Sequence, residues 1–112
     1  MISDLEPSIK FYTDIVGLQR MERPDLGFPG AWFQLGENQQ LHIIKLPNMD
    51  PTTGRPEHGG RDRHVALTVN DFDAVRKTLD EKKVFYSMSK SGRKALFLRD
   101  PDANAIEIIG RT

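Results

Sequence analysis

Apolar and polar residues alternate along this chain with two different periods, and each switch of period marks a new element. Leu5, Ile9, Tyr12 and Val16 recur at helical spacing behind Ser3 and Glu6, which are separated like the two members of a capping box. Pro7 falls in the first turn, where a missing N–H costs least. Gly17 stands where a left-handed closing residue belongs. This pattern predicts a helix over residues 4–16. Pro24–Gly30 reads as a loop, Ala31–Leu35 as a strand, Gly36–Gln39 as a turn and Leu41–Leu46 as another strand. Residues 47–62 hold three prolines and three glycines and read as a mobile connection, either a linker or a lid.

From His64 the two-residue period of a strand restarts, with Val65, Leu67 and Val69 on one face and His64, Ala66 and Thr68 on the other. Asp71 is placed to cap a second helix with Phe72, Val75 and Leu79 along its inner face. Phe85–Ser89, Lys94–Arg99 and Ala105–Ile109 follow as strands, divided by Ser91-Gly92 and by the turn Asp100-Pro101-Asp102-Ala103-Asn104.

The second part of the chain repeats the first. Ser3-Asp4-Leu5-Glu6 matches Asn70-Asp71-Phe72-Asp73 at an offset of 67, and Leu41-His42-Ile43-Ile44 matches Ile106-Glu107-Ile108-Ile109 at an offset of 65. Each half runs helix, strand, strand, strand, which makes the fold class α+β. The strand His64–Asn70 has no full counterpart, so the first half either lacks its leading strand or begins inside it. The expected organisation is one domain over 1–112, with module one at about 1–46, a linker at about 47–62 and module two at about 63–112.

Strand alternation also isolates candidate chemistry. His42 lies opposite Leu41 and Ile43, His64 opposite Val65 and Leu67, and Glu107 opposite Ile106 and Ile108. Three apolar strands thus each turn one metal-competent side chain away from the helix-packing face. If the three converge, two imidazoles and a carboxylate form a set suited to Ni(II), Zn(II), Mn(II) or Fe(II). Glu107, if buried, needs a cation or hydrogen bonds to offset its desolvation. His58, among Gly and Arg residues, reads as solvated, with a lid role as the sharper alternative.

Composition narrows the classes. Sixteen basic and sixteen acidic residues cancel, and no basic cluster offers a footprint for nucleic acid or anionic lipid. The absence of cysteine excludes disulfides, zinc–thiolate sites and thiol nucleophiles. No apolar run approaches the ~20 residues of a spanning helix. Met1-Ile2-Ser3-Asp4 is polar almost at once, unlike a signal peptide, so a cytoplasmic location is expected.

Ser-Asp-Leu-Glu-x-Ser-Ile-x-Phe-Tyr-x-Asp-x-x-Gly-Leu (3–18) resembles the first-helix signature of the vicinal oxygen chelate superfamily. Ala-Trp-Phe-x-Leu-Gly (31–36), Gln-Leu-His (40–42), His-Val-Ala-Leu-x-Val-x-Asp (64–71) and Arg-Asp-Pro-Asp-x-Asn-x-Ile-Glu (99–107) resemble its later motifs. The superfamily includes glyoxalase I, methylmalonyl-CoA epimerases, extradiol dioxygenases, fosfomycin-modifying transferases and bleomycin-binding proteins. The resemblance implies paired βαβββ modules forming a cupped mixed sheet around a divalent metal ion. Carried over by position, it implies His42, His64 and Glu107 as metal ligands, and His42 tilts the implied activity toward a lyase or isomerase. Such an activity stabilises an enediolate while a proton moves between carbons, with Glu107 as the candidate base. Trp32, Phe33 and Arg99 are candidates to line the pocket of a small-molecule substrate.

Two departures from the family pattern bear on this. Ala103 stands where the family turn usually has Gly, placing a Cβ where positive φ is common. The absent leading strand normally supplies a ligand, and its absence leaves an open edge from which a homodimer is expected. The missing ligand also keeps a metal-free, small-molecule-binding dimer of the bleomycin-resistance type as an alternative. A thiol transferase or dioxygenase on the same scaffold is the third reading.

Overall fold

The computed structural model describes residues 1–47 and 50–111, so Asn48 and Met49 of the 47–62 connection lie outside the described residues. The chain forms two compact units, residues 1–50 and 51–112.

In the first unit α1 (Leu5–Lys10) follows Asp4, whose backbone is extended and whose side chain makes no capping bond. The helix then widens into a π-helical turn, Phe11–Ile15. The Thr13 hydroxyl donates to the Ile9 carbonyl at 2.9 Å, competing with the backbone ladder, and the Val16 N–H reaches back five residues to Phe11. The wider turn buries Phe11 as well as Ile9, Tyr12 and Val16, which ordinary helical spacing did not anticipate. Gly17 closes the element at φ +85°, as expected. Three antiparallel strands follow in the order β1 (Gln19–Met21), β2 (Gly30–Leu35) and β3 (Gln39–Ile44). β1 is too short and polar to stand out in the sequence. Phe33 on β2 is fully buried, with the Tyr12 ring 5.7 Å away.

In the second unit β4 (His64–Val69) lies parallel to β7 (Ala105–Gly110), and the sheet continues through β6 (Ala95–Arg99) to β5 (Tyr86–Met88). Paired residues share a face, so the register divides the sheet into two. Leu67, Leu96, Leu98, Ile106 and Ile108 lie on one side and are buried. α2 (Phe72–Glu81) covers that side: a Cβ on Gly110 would come within 2.9 Å of the Phe72 Cβ. The Asp71 carboxylate accepts from the Ala74 N–H at 3.0 Å, the predicted cap. The opposite face carries His64, Phe97, Arg99, Ala105 and Glu107.

The registers extend the repeat. Trp32 pairs with His42 across β2 and β3 as Phe97 pairs with Glu107 across β6 and β7, sixty-five positions on. Ile2 forms a single parallel bridge to Lys45, the counterpart of the last pair of β4 and β7, Val69 with Gly110. The α+β class and the doubled helix-and-hairpin pattern are therefore as expected. β4 differs in one respect: as an edge strand of its sheet it leaves Val65 37% exposed, so only part of its apolar face is buried.

Candidate metal centre

Glu107 comes from the middle of β7, where flanking Ile106 and Ile108 fill the core and alternation turns the carboxylate to the other face. Its side chain is 5% exposed. One oxygen, Oε1, lies 3.3 Å from His64 Nε2, and the other accepts from an Arg93 Nη2 at 2.7 Å. His64 and Glu107, two of the three predicted ligands, therefore meet across β4 and β7.

The His64 ring is oriented by its other nitrogen. Nδ1 lies 2.8 Å from the Asp62 carbonyl oxygen, which can only accept, so Nδ1 carries the proton. In the neutral ring Nε2 then presents a lone pair to a carboxylate oxygen. Two acceptors at 3.3 Å attract only through a cation between them or a proton on the ring. The edge of Phe97, 5.2 Å away and nearly perpendicular, supports the ring from the side.

Residues 55–62 form a strap on this face. Gly59 packs with its Cβ position 3.1 Å from the Phe97 Cβ, leaving no room for a side chain, and Gly59–Arg61 form a 3-10 turn. His58, expected to be solvated, is instead half-buried beside Phe97 at 5.0 Å. Its Nε2 donates to the Met88 carbonyl at 3.2 Å, and its Nδ1 accepts from the Gly60 N–H at 3.0 Å. Asp62 closes the strap: its Oδ2 takes Arg55 Nε and Arg99 Nη1, each at 2.8 Å. Those two bonds, Arg55 first, bring the Asp62 carboxyl from 3.8 down to about 2. This end of the connection packs on the second unit, and its polar groups find partners on β5 and β6.

The remaining candidates divide. Arg99, expected to meet an anionic substrate group, donates to Asp62 and to the carbonyls of Ala103 and Pro56, so its guanidinium ties the strap to the turn. It also forms part of the wall of a cavity of about 190 Å³ with Glu57, Ser87 and Phe97. Phe33 is fully buried in the first unit. Trp32 and His42 stack at 4.2 Å with planes 5° apart, and His42 Nε2 lies 2.8 Å from Gln40 Oε1. They belong to the first unit. Among the described residues no three His, Asp or Glu side chains are grouped as a metal site. Sequence reasoning missed Arg93, because its reach to Glu107 depends on the turn between β5 and β6.

Parallel strands bearing a His–Glu pair, and hairpins repeated in register, are what the vicinal oxygen chelate resemblance implies. The comparisons with known proteins agree: the Glyoxalase/Bleomycin resistance protein/Dioxygenase superfamily matches residues 1–108, and the chain belongs to that family. It is 28% identical over 116 residues to a lactoylglutathione lyase of Haemophilus influenzae, covering 96% of this chain and 85% of that one. Among solved structures it superimposes on a glyoxalase/dioxygenase from Nostoc punctiforme with a TM-score of 0.75 at 23% identity, over 99% of this chain and 86% of that one. TnmS3, an antibiotic-binding protein from Streptomyces sp. CB03234, gives 0.73 at 22% identity, over 99% and 89%. These structural likenesses speak for the fold alone. Among the described residues, no helix is long and apolar enough to cross a membrane.

Proposed function

We propose that this chain is a divalent-metal-dependent lyase or isomerase acting on a small substrate with adjacent oxygens. The observation that carries the reading is the His64–Glu107 contact. The imidazole, held by a main-chain carbonyl through Nδ1, aims Nε2 at a buried carboxylate. That second bond is the kind that orients a metal-binding His. The 3.3 Å separation fits two donors that share one ion at about 2.0–2.2 Å each. His64 and Glu107 would hold the ion, and Ni(II), Zn(II), Mn(II) and Fe(II) all suit these donors. Bound there, a divalent ion would supply Lewis-acid stabilisation for an enediolate. Glu107 would take and return the proton. The similarity to lactoylglutathione lyases supports a lyase over other chemistries of the family.

The same reading includes a homodimer, supported by the outer edge of β3, where Ile2 makes the one described bridge. Native mass spectrometry after chelator-free purification tests both parts. The expected result is a dimer with roughly one ion per chain, and loss of the ion in His64→Ala. No bound ion in the wild type, even with added Ni(II), Zn(II) or Mn(II), overturns the metal reading, and a monomer at micromolar concentration overturns the dimer. A bound ion without isomerase turnover points to the thiol-transferase or dioxygenase reading. A second reading, a metal-free small-molecule-binding protein, is favoured by one observation: Arg93 already neutralises Glu107.

A further inference from the structure

The two oxygens of Glu107 are held in different ways. Oε1 faces a ring fixed from β4 and supported by Phe97, whereas Oε2 meets a guanidinium that enters from solvent. The Arg93 side chain is 56% exposed against 5% for Glu107, and a single N–H of the guanidinium makes the contact, at 2.7 Å. A planar guanidinium can grip a carboxylate with two parallel bonds. Here it does not, and among the described residues no other partner holds the guanidinium.

The turn that delivers Arg93 is itself well built. The Ser89 N–H donates to the Ala95 carbonyl at 2.9 Å, Ser89 and Ser91 share a hydroxyl hydrogen bond of 2.8 Å, and Gly92 takes φ +85°. The backbone is thus anchored while the side chain is not.

The first unit supplies an internal control. The counterpart of Glu107 is His42, and the residue two places before β2, matching Arg93 two places before β6, is Phe28. A cation stands at this position in the copy whose central residue is a buried carboxylate, and an uncharged ring stands there in the copy whose central residue is an imidazole. Burial of a carboxylate demands a counter-charge, and an imidazole makes no such demand.

We propose that Arg93 is a displaceable counter-cation of Glu107. It balances the carboxylate's charge and holds it in place while no metal is bound, and it swings into solvent when a divalent ion beside Oε1 supplies the positive charge instead. The ion therefore competes with a tethered side chain, and its affinity is lowered by the strength of the pair it replaces. This inference rests on the metal reading above, and the test separates the two.

Zn(II) is titrated into the metal-stripped full chain, with a chromogenic chelator as competitor, for wild type, Arg93→Met, Arg93→Lys and Glu107→Gln. Arg93→Met removes the charge and is expected to bind about tenfold tighter than wild type, the equivalent of about 1.4 kcal/mol. Arg93→Lys keeps a cation and stays near wild type, and Glu107→Gln loses the ion. Equal or weaker binding by Arg93→Met, with Glu107→Gln still defective, overturns the inference and leaves the metal reading standing. Absence of binding in wild type and Arg93→Met alike removes the metal reading, and the inference with it. A second measurement needs no variant that must fold: the Arg93 Nε–Hε NMR signal of the wild type should move to the position of a free arginine on adding Zn(II). A signal that stays in place while Zn(II) binds means that Arg93 is a permanent structural partner.

Discussion

Trp32 faces His42 in one copy of the repeat as Phe97 faces Glu107 in the other, and these matched pairs are stabilised by opposite means. Trp32 and His42 form a flat stack, and the other described side-chain partner of His42 is Gln40, two residues away on its own strand. These described partners lie within one hairpin. Glu107 draws its partners from β4 and from the β5–β6 turn, and Phe97 carries the rings of His58 and His64 and the backbone of Gly59. Exchanging an imidazole for a carboxylate at one strand position thus recruits support from distant segments, because a buried charge must be balanced while a half-exposed aromatic ring needs little.

The comparison can be broken at the aromatic members first. Phe97→Ala should cost about 3–5 kcal/mol in urea unfolding, as for a buried ring with several neighbours. Trp32→Ala should cost about 1 kcal/mol, the scale of an aromatic pair near the surface. Equal costs would mean that the two hairpins are supported alike. A smaller contrast lies in the turns. Gly36 sits at φ +59° in the β2–β3 turn, and Ala103 at φ +65° in the β6–β7 turn. Ala103→Gly should therefore raise stability by about 1 kcal/mol, while Gly36→Ala should lower it by a similar amount. Two losses of the same sign would show that the Ala103 methyl contributes more than its backbone costs. The smallest effect concerns the strap. Asp62 has a depressed folded-state value, so its contribution is complete above the ordinary carboxyl value of 3.8 and is lost as pH falls through about 2. The melting-temperature curves of wild type and Asp62→Asn should therefore converge as pH falls from about 4 to about 2. Curves that stay parallel across that window would show that the Arg55 and Arg99 bonds do not couple to folding.

The parts of this molecule that could be read in advance are those governed by local period. The alternation around Glu107, the cap at Asp71 and the left-handed residue at Gly17 follow from spacing alone, and the repeat by itself pairs His42 with Glu107. What escaped reading depends on contacts between segments distant in sequence. Arg93 reaches a residue fourteen positions on, through a turn whose path no periodicity specifies. His58 finds Met88 thirty positions away. β1, with Gln19 and Arg20 ahead of Met21, carries no apolar alternation and exists because β2 offers an edge. The π-helical turn follows from the Thr13 hydroxyl bond, a choice that composition leaves open.

The Asp62 carbonyl that orients the His64 ring belongs to the main chain. Side-chain substitution cannot delete it, so sequence drift along residues 56–61 leaves the offered nitrogen unchanged as long as the loop keeps its route. The geometry of this imidazole is in this sense inherited through chain path and not through spelling. A designer wishing to retune the ring would alter the length of that loop before changing any of its letters.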